Sequence, residues 1–178
     1  MQQPENQELN HHIIIRHFKT HNNRIDYTNS YKEAIPYVNF IKKYVSKFGI
    51  KEIEIRTSPL ERTLMTSLIL YIKLKDTEGL NIHKPRINKY LERDPTKSKQ
   101  EVLMKHFKSN YKTDNKLIIS ITHSSVYARI FLGLMSGMSK EIINMKDLTK
   151  EKKIHAHSLS FLTDINNEIK YGFNILMD

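Results

Sequence analysis

His12-Ile13-Ile14-Ile15-Arg16-His17 packs three β-branched residues between histidines, with a cation, Arg16, just before the second. Such a run, continuous rather than alternating, is the pattern of a strand buried on both faces of a parallel sheet. Upstream, residues 1–10 are polar and are expected to form a loose N-terminal segment, leaving 11–178 as a single domain. Downstream, residues 18–29 are polar and Asn-rich and read as a loop. Ala34, Val38, Ile41, Val45 and Phe48 then recur at steps of three and four, which predicts a helix stopped by Gly49, with Pro36 near its first turn.

The alternation resumes further along. Glu52 to Arg56 (EIEIR) predicts a second strand. Ser58, Pro59 and Glu61 read as an N-cap, a proline at the first helical position and a capping box. Leu60, Leu64, Leu68 and Tyr71 form the apolar stripe of the helix that follows, to about residue 74. Residues 75–100 are irregular and charged, with a short strand near Ile82, and a weakly amphipathic helix covers about 100–110. Lys116 to Ile121 (KLIISI) is a third strand, Ser124 or Ser125 opens a helix carrying Val126, Ile130, Leu132 and Leu134, and Ser158 to Leu162 is a last strand. Strands alternating with helices indicate an α/β fold: a three-layer α/β/α sandwich with a mainly parallel central sheet.

Composition narrows the class. A hydrophobic fraction of 39% with 27% charged residues in 178 residues suits a globular chain. No apolar run approaches the roughly 18 residues of a membrane helix, and the first dozen residues lack the basic and apolar regions of a signal peptide. There are no cysteines, which removes disulfides and thiolate chemistry and suits a cytoplasmic location. The net charge of +10 favours anionic ligands. No Lys/Arg block or RNA-binding signature turns that charge into a nucleic-acid site, and a Lys-rich codon usage explains it equally well.

Three strands end alike: at Arg16-His17, at Arg56-Thr57-Ser58 leading to Arg62, and at Thr122-His123. The carboxyl ends of parallel strands form one edge, where ligands bind. Two histidines and two or three arginines are therefore expected in one crevice. Arginine forks match phosphate oxygens, and a capped helix start adds N–H donors, so the crevice suits a phosphoryl group.

These residues also carry a resemblance. Arg16-His17-Phe18-Lys19-Thr20, with Asn23 following, resembles the Arg-His-Gly-x-Thr signature of the histidine phosphatase superfamily, which includes the cofactor-dependent phosphoglycerate mutases. Ser58-Pro59-Leu60-Glu61-Arg62-Thr63, with Thr66, is similar to that family's Ser-Pro-Leu-x-Arg-Ala-x-x-Thr element, and Ile121-Thr122-His123-Ser124 to its late Thr-His-Gly element. The resemblance spans about residues 11–165. It implies a phosphoglycerate mutase-like fold, a phosphohistidine formed on His17, and Arg16, Asn23, Arg62 and His123 around the phosphoryl oxygens. It also implies a carboxylic acid that protonates the leaving oxygen. Glu92 in Leu91-Glu92-Arg93-Asp94 is the first choice and Asp94 the alternative. The chain departs from the pattern at Phe18 and Ser124, both glycine in the family. Phe18 would either crowd the loop or wall the substrate.

The size matches the small phosphatases of this family, acting on a phosphorylated small molecule or a phosphoprotein without metal or cofactor. A mutase, or a phosphate-binding regulatory module without turnover, are the alternatives. His155 with His157, and His11 with His12, lack a third ligand at a familiar metal spacing. Tyr27, Tyr31 and Tyr37 are packing or surface residues, the first two also candidates for the cleft mouth. Met135, Met138 and Met145 read as gap fillers.

Overall fold

The computed structural model describes residues 9–21, 24–93, 96–138, 157–165 and 168–177. The opening run becomes β1 (Leu9–Arg16), the third strand of the sequence becomes β7 (Leu117–Thr122), and the second becomes β4 (Glu52–Thr57). These three lie side by side and parallel, with Ile13 beside Ile119 and Ile55 beside Ile119 from the other flank. Two short strands, β5 (Asn81–Ile82) and β6 (Arg86–Ile87), add to β4 in parallel. On the other side of β1, β8 (Ser158–Ile165) and β9 (Glu168–Leu176) are antiparallel. The sheet order is thus β5-β4-β7-β1-β8-β9, with β6 also on β4. A two-stranded ribbon, β2 (Thr20–His21) and β3 (Arg24–Ile25), stands apart.

Helices cover both faces. On one, α1 (Tyr27–Phe48) and α2 (Glu61–Leu74) pack over Ile13, Ile15, Ile53, Ile55, Ile119 and Ile121. On the other, α3 (Lys97–Ser109) and α4 (Ser124–Met138) pack over Ile14 and Leu162. The three isoleucines of β1 therefore serve both layers, which is why the run does not alternate. Each buried isoleucine contributes about 1.5–3 kcal/mol by leaving water. Tyr127 ties α4 to the central strand. Its hydroxyl donates to the Ile14 carbonyl at 2.9 Å and accepts from Ser160, also at 2.9 Å. α3 and α4 approach closely because α4 carries glycine at the contact: a Cβ on Gly133 would lie 2.8 Å from the Met104 carbonyl oxygen, and one on Gly137 2.5 Å from that of Lys108.

Several local expectations change. β1 begins at Leu9, inside the segment expected to be loose, because the Asn10 side chain accepts the Thr113 N–H at 2.9 Å and the Leu9 N–H reaches Asn115. α1 begins well before Pro36, capped by Asp26, whose carboxylate accepts from the N–H groups of Thr28 and Asn29. Pro36 lies inside the helix, at a cost of about 3 kcal/mol, offset by the buried face of Ala34, Tyr37, Val38 and Ile41. Gly49 ends the helix in the left-handed conformation at φ 65°. α2 starts at Glu61 after Leu60 rather than capping on Ser58. Its buried face is Thr63, Thr66, Ser67, Ile69, Leu70 and Leu74, while Leu68 is exposed. The hydroxyls on that face bond carbonyls one turn back, so they bury without penalty and let the helix sit close. β9 was not anticipated, because EIKYGFNIL mixes polar and apolar residues without a clear period.

Among the described residues no helix is long and apolar enough to cross a membrane.

Candidate active site

The parallel register brings the three motif ends together. Arg16 pairs with Thr122 across β1 and β7, and Thr57 with Ile121 across β4 and β7. The next residues, His17, His123 and Ser58, leave the sheet side by side. Backbone bonds hold them there: the His17 N–H reaches the Thr122 carbonyl at 3.0 Å, and the Ser58 N–H that of Ile121 at 3.2 Å. The His17 and His123 rings lie 5.4 Å apart between centroids.

His17 has one ring nitrogen engaged. Its Nδ1 lies 2.8 Å from the Phe18 carbonyl oxygen, an atom that can only accept. Nδ1 therefore carries the proton, and Nε2 presents its lone pair. Burial above all, with the charges of Arg62 and Arg16, lowers the His17 pKa to about 4 against the raising effect of the Phe18 carbonyl. The ring is neutral at pH 7 for that reason, with desolvation ahead of the arginines.

His123 is held in the opposite tautomer. Arg62 Nε donates to its Nδ1 at 3.3 Å, so its Nε2 must be the protonated nitrogen and donates to Ser58 Oγ at 2.9 Å. Burial lowers the His123 pKa to about 3, with Arg62, His17, Arg93 and Arg16 contributing in that order. Arg16 ends β1 with burial and the nearby Arg62 both disfavouring its charge. Two guanidinium groups thus lie close enough to act on the His17 ring, whose Nε2 lone pair is free, a set of groups suited to a tetrahedral oxyanion.

The second layer explains the departures from the motif. Phe18 is fully buried and packs on Tyr37, with ring centroids 5.2 Å apart, so it neither crowds the crevice nor walls it. Its N–H donates to Thr66 Oγ1 at 3.0 Å, and Thr66 in turn donates to the Arg62 carbonyl. Thr66 thereby couples the His17 loop to the helix turn that carries Arg62. Ser124 is exposed at the start of α4.

Glu92 is exposed and follows a 3-10 turn, Lys89–Leu91. Thr122 Oγ1 donates to the Leu91 carbonyl at 2.7 Å, which anchors that turn to the residue before His123, and the charge of Arg93 reaches the His123 ring. Asn23 and Asp94 lie outside the described residues, as do His155 and Met145. His11 and His12 form no metal pair. They point to opposite faces of β1, His11 to the Tyr44 hydroxyl and His12 to the Tyr111 carbonyl. No cluster of three metal-ligating side chains occurs among the described residues. Tyr27 and Tyr31 are exposed and stack on each other, and Lys73 sits over the Tyr31 ring.

The sequence did not single out Ser58 as the partner of His123, Thr122 as the anchor of the 3-10 turn, or Arg93 as a charge felt by His123. Ser58 and Thr122 stand inside the quoted motifs, but only the register shows which atoms they touch.

The architecture and the site define a class: an α/β/α sandwich whose parallel strand ends converge two histidines and two arginines. The fold is phosphoglycerate mutase-like. A crystal structure of phosphoglycerate mutase from Plasmodium falciparum is similar over 92% of this chain and 97% of that chain, with a TM-score of 0.50 and 11% sequence identity. No protein-family model and no curated protein matches the sequence.

Proposed function

We propose that this protein is a phosphatase of the histidine phosphatase superfamily that hydrolyses a phosphomonoester or phosphoramidate through His17. The observation that carries this reading is the His17 Nδ1 bond to the Phe18 carbonyl at 2.8 Å, which leaves Nε2 as the nucleophilic nitrogen beside Arg62 and His123. In the first step the Nε2–P bond forms as the P–O bond of a phosphomonoester, or the P–N bond of a phosphoramidate, breaks, and Glu92 gives the leaving oxygen or nitrogen a proton. Arg16 and Arg62 hold the equatorial oxygens as charge builds, and His123 joins them when its Nε2–H turns from Ser58 Oγ to the phosphoryl group, with Asn23 assisting. In the second step water attacks phosphorus, Glu92 takes its proton, and the N–P bond breaks to release inorganic phosphate. Such a transfer depends on positioning and charge stabilisation, which this arrangement of rigid strand ends supplies. The substrate is a phosphorylated small molecule or a phosphoprotein, and no metal or cofactor takes part.

The fold neighbour is titled a mutase, and that favours a second reading in which the phosphoryl group returns to another oxygen of the substrate. Incubation with p-nitrophenyl phosphate separates the two. Steady nitrophenol release in the presence of chelator, abolished in His17→Ala, supports the phosphatase. An acid-labile phosphoenzyme that is not hydrolysed supports the mutase. Neither labelling nor hydrolysis over a broad pH range and substrate panel overturns both.

A further inference from the structure

A second concave site lies on the face of the sheet covered by α3, built from β4, β6 and the 3-10 turn. It is a cavity of about 300 Å³, and none of its lining residues belongs to the crevice around His17. Volume alone would fit a small metabolite. Its charge is more specific.

Arg56 and Arg86 occupy directly aligned positions on neighbouring parallel strands, so their side chains leave the same face of the sheet a strand spacing apart. Like charges in that position repel. Lys89, on the turn, lines the same cavity and adds a third cation. Glu54 is the single carboxylate in the lining, and it engages Arg56 through Nε at 2.9 Å. His106 closes one wall, stacked on Tyr90 with centroids 3.7 Å apart, and burial with Arg56 and Lys89 lowers its pKa. The lining therefore carries an excess of two positive charges at neutral pH. Tyr90 is stacked on by His106 and has Lys89 Nζ over its ring at 5.3 Å from the centroid, which points to a compact ligand rather than a stacked aromatic base.

We propose that this cavity is a second anion site, separate from the phosphoryl crevice, that takes a compact polyanion of the oligophosphate type. Arg56, Arg86 and Lys89 supply the charge and the donors, and a polyanion rather than a monoanion matches three cations gathered around one space. The turn that contributes Lys89 and Tyr90 is also tied to both neighbouring strand ends. The Asn88 N–H reaches the Thr57 carbonyl at 2.8 Å, and the Leu91 carbonyl accepts from Thr122 at 2.7 Å. A ligand in the cavity thus touches the same turn that leads into Glu92.

The test is calorimetric titration of the full chain with inorganic pyrophosphate at about 0.15 M salt, where diffuse attraction is screened beyond roughly 8 Å. Wild-type protein is expected to bind two equivalents. Arg62→Ala should lose the crevice equivalent and keep the other. The double variant Arg86→Glu/Lys89→Glu, both at exposed positions, should weaken the cavity equivalent by roughly tenfold or more and keep the crevice one, with an unchanged circular dichroism spectrum. Lys42→Glu/Lys43→Glu on α1, also exposed, makes the same change in net charge and should leave both intact. Loss of all binding in Arg62→Ala overturns the cavity site, as does equal weakening by the two double variants. Binding lost only in Arg86→Glu/Lys89→Glu and indifferent to Arg62→Ala upholds the cavity while counting against the phosphoryl crevice.

Discussion

Arg62 Nε lies 3.3 Å from His123 Nδ1, and because a guanidinium only donates, that contact fixes His123 as the neutral Nε2–H tautomer. On the proposed function one residue performs two tasks: it orients the neighbouring imidazole and offers the rest of its fork to phosphoryl oxygens. Arg62→Ala should lower kcat on p-nitrophenyl phosphate by roughly 10²–10³-fold, the usual effect of removing an oxyanion donor. Arg62→Lys should recover little of it, since an ammonium cannot hold a planar fork. Steady-state kinetics of both variants checks this, and a loss below about tenfold would remove Arg62 from the site.

The histidines predict a pH profile. The acid limb of kcat/KM should fall near pH 4 rather than 6.5, because His17 keeps its lone pair down to about that value. A limb centred on the ordinary histidine value would contradict the neutral, desolvated nucleophile.

Stability should follow the same groups. His11 and His12 are buried with pKa values lowered to about 4, and His123 is buried with one lowered to about 3. Unfolding restores each to about 6.5, so below that pH the unfolded chain binds more protons than the folded one. The stability these neutral rings contribute is complete above about pH 6.5 and is lost as pH falls toward 4 to 3. Each fully titrating ring gives a slope of about 1.4 kcal/mol per pH unit. Urea unfolding at pH 7.5, 6 and 5 tests it, and a flat profile over that range would refute it.

Glu92→Gln should depress turnover most for substrates with poor leaving groups, such as alkyl phosphates, and least for p-nitrophenyl phosphate, because a good leaving group needs little protonation. A Brønsted plot over leaving groups reads the difference. An equal loss on all substrates would assign Glu92 to binding, and no loss would shift the proton to Asp94.

Phe18→Ala should cost about 3–5 kcal/mol of stability, since the ring is fully buried on Tyr37. It should leave the relative preference among substrates unchanged where the protein is still folded. Thermal melts and a substrate panel separate the two effects, and altered selectivity at wild-type stability would place Phe18 at the substrate instead.

Between α3 and α4, Gly133→Ala should destabilise by about 1–3 kcal/mol through overpacking, because the added methyl meets the backbone of α3 at 2.8 Å. A wild-type melting temperature would show that the two helices can separate freely.

The sequence by itself determined the layered class and the motif ends. Three isoleucines between His12 and Arg16 suit burial on both faces, and Gly49 marks a helix stop whatever surrounds it. These are local preferences of backbone and side chain, legible without a partner. Long-range pairing decided the rest. The polar face of α2 is buried because its hydroxyls bond their own helix, a choice that the adjoining apolar stripe conceals. Phe18 reads as an anomaly beside a nucleophile until Tyr37 is seen beneath it. The tautomer of His17 is set locally by the carbonyl of the next residue, Phe18, whereas that of His123 depends on Ser58 and Arg62, which only the register of the parallel strands brings to its ring. A hydrogen bond's direction is set by atoms in space, and for His123 those atoms come from segments as far as 65 residues apart in the chain.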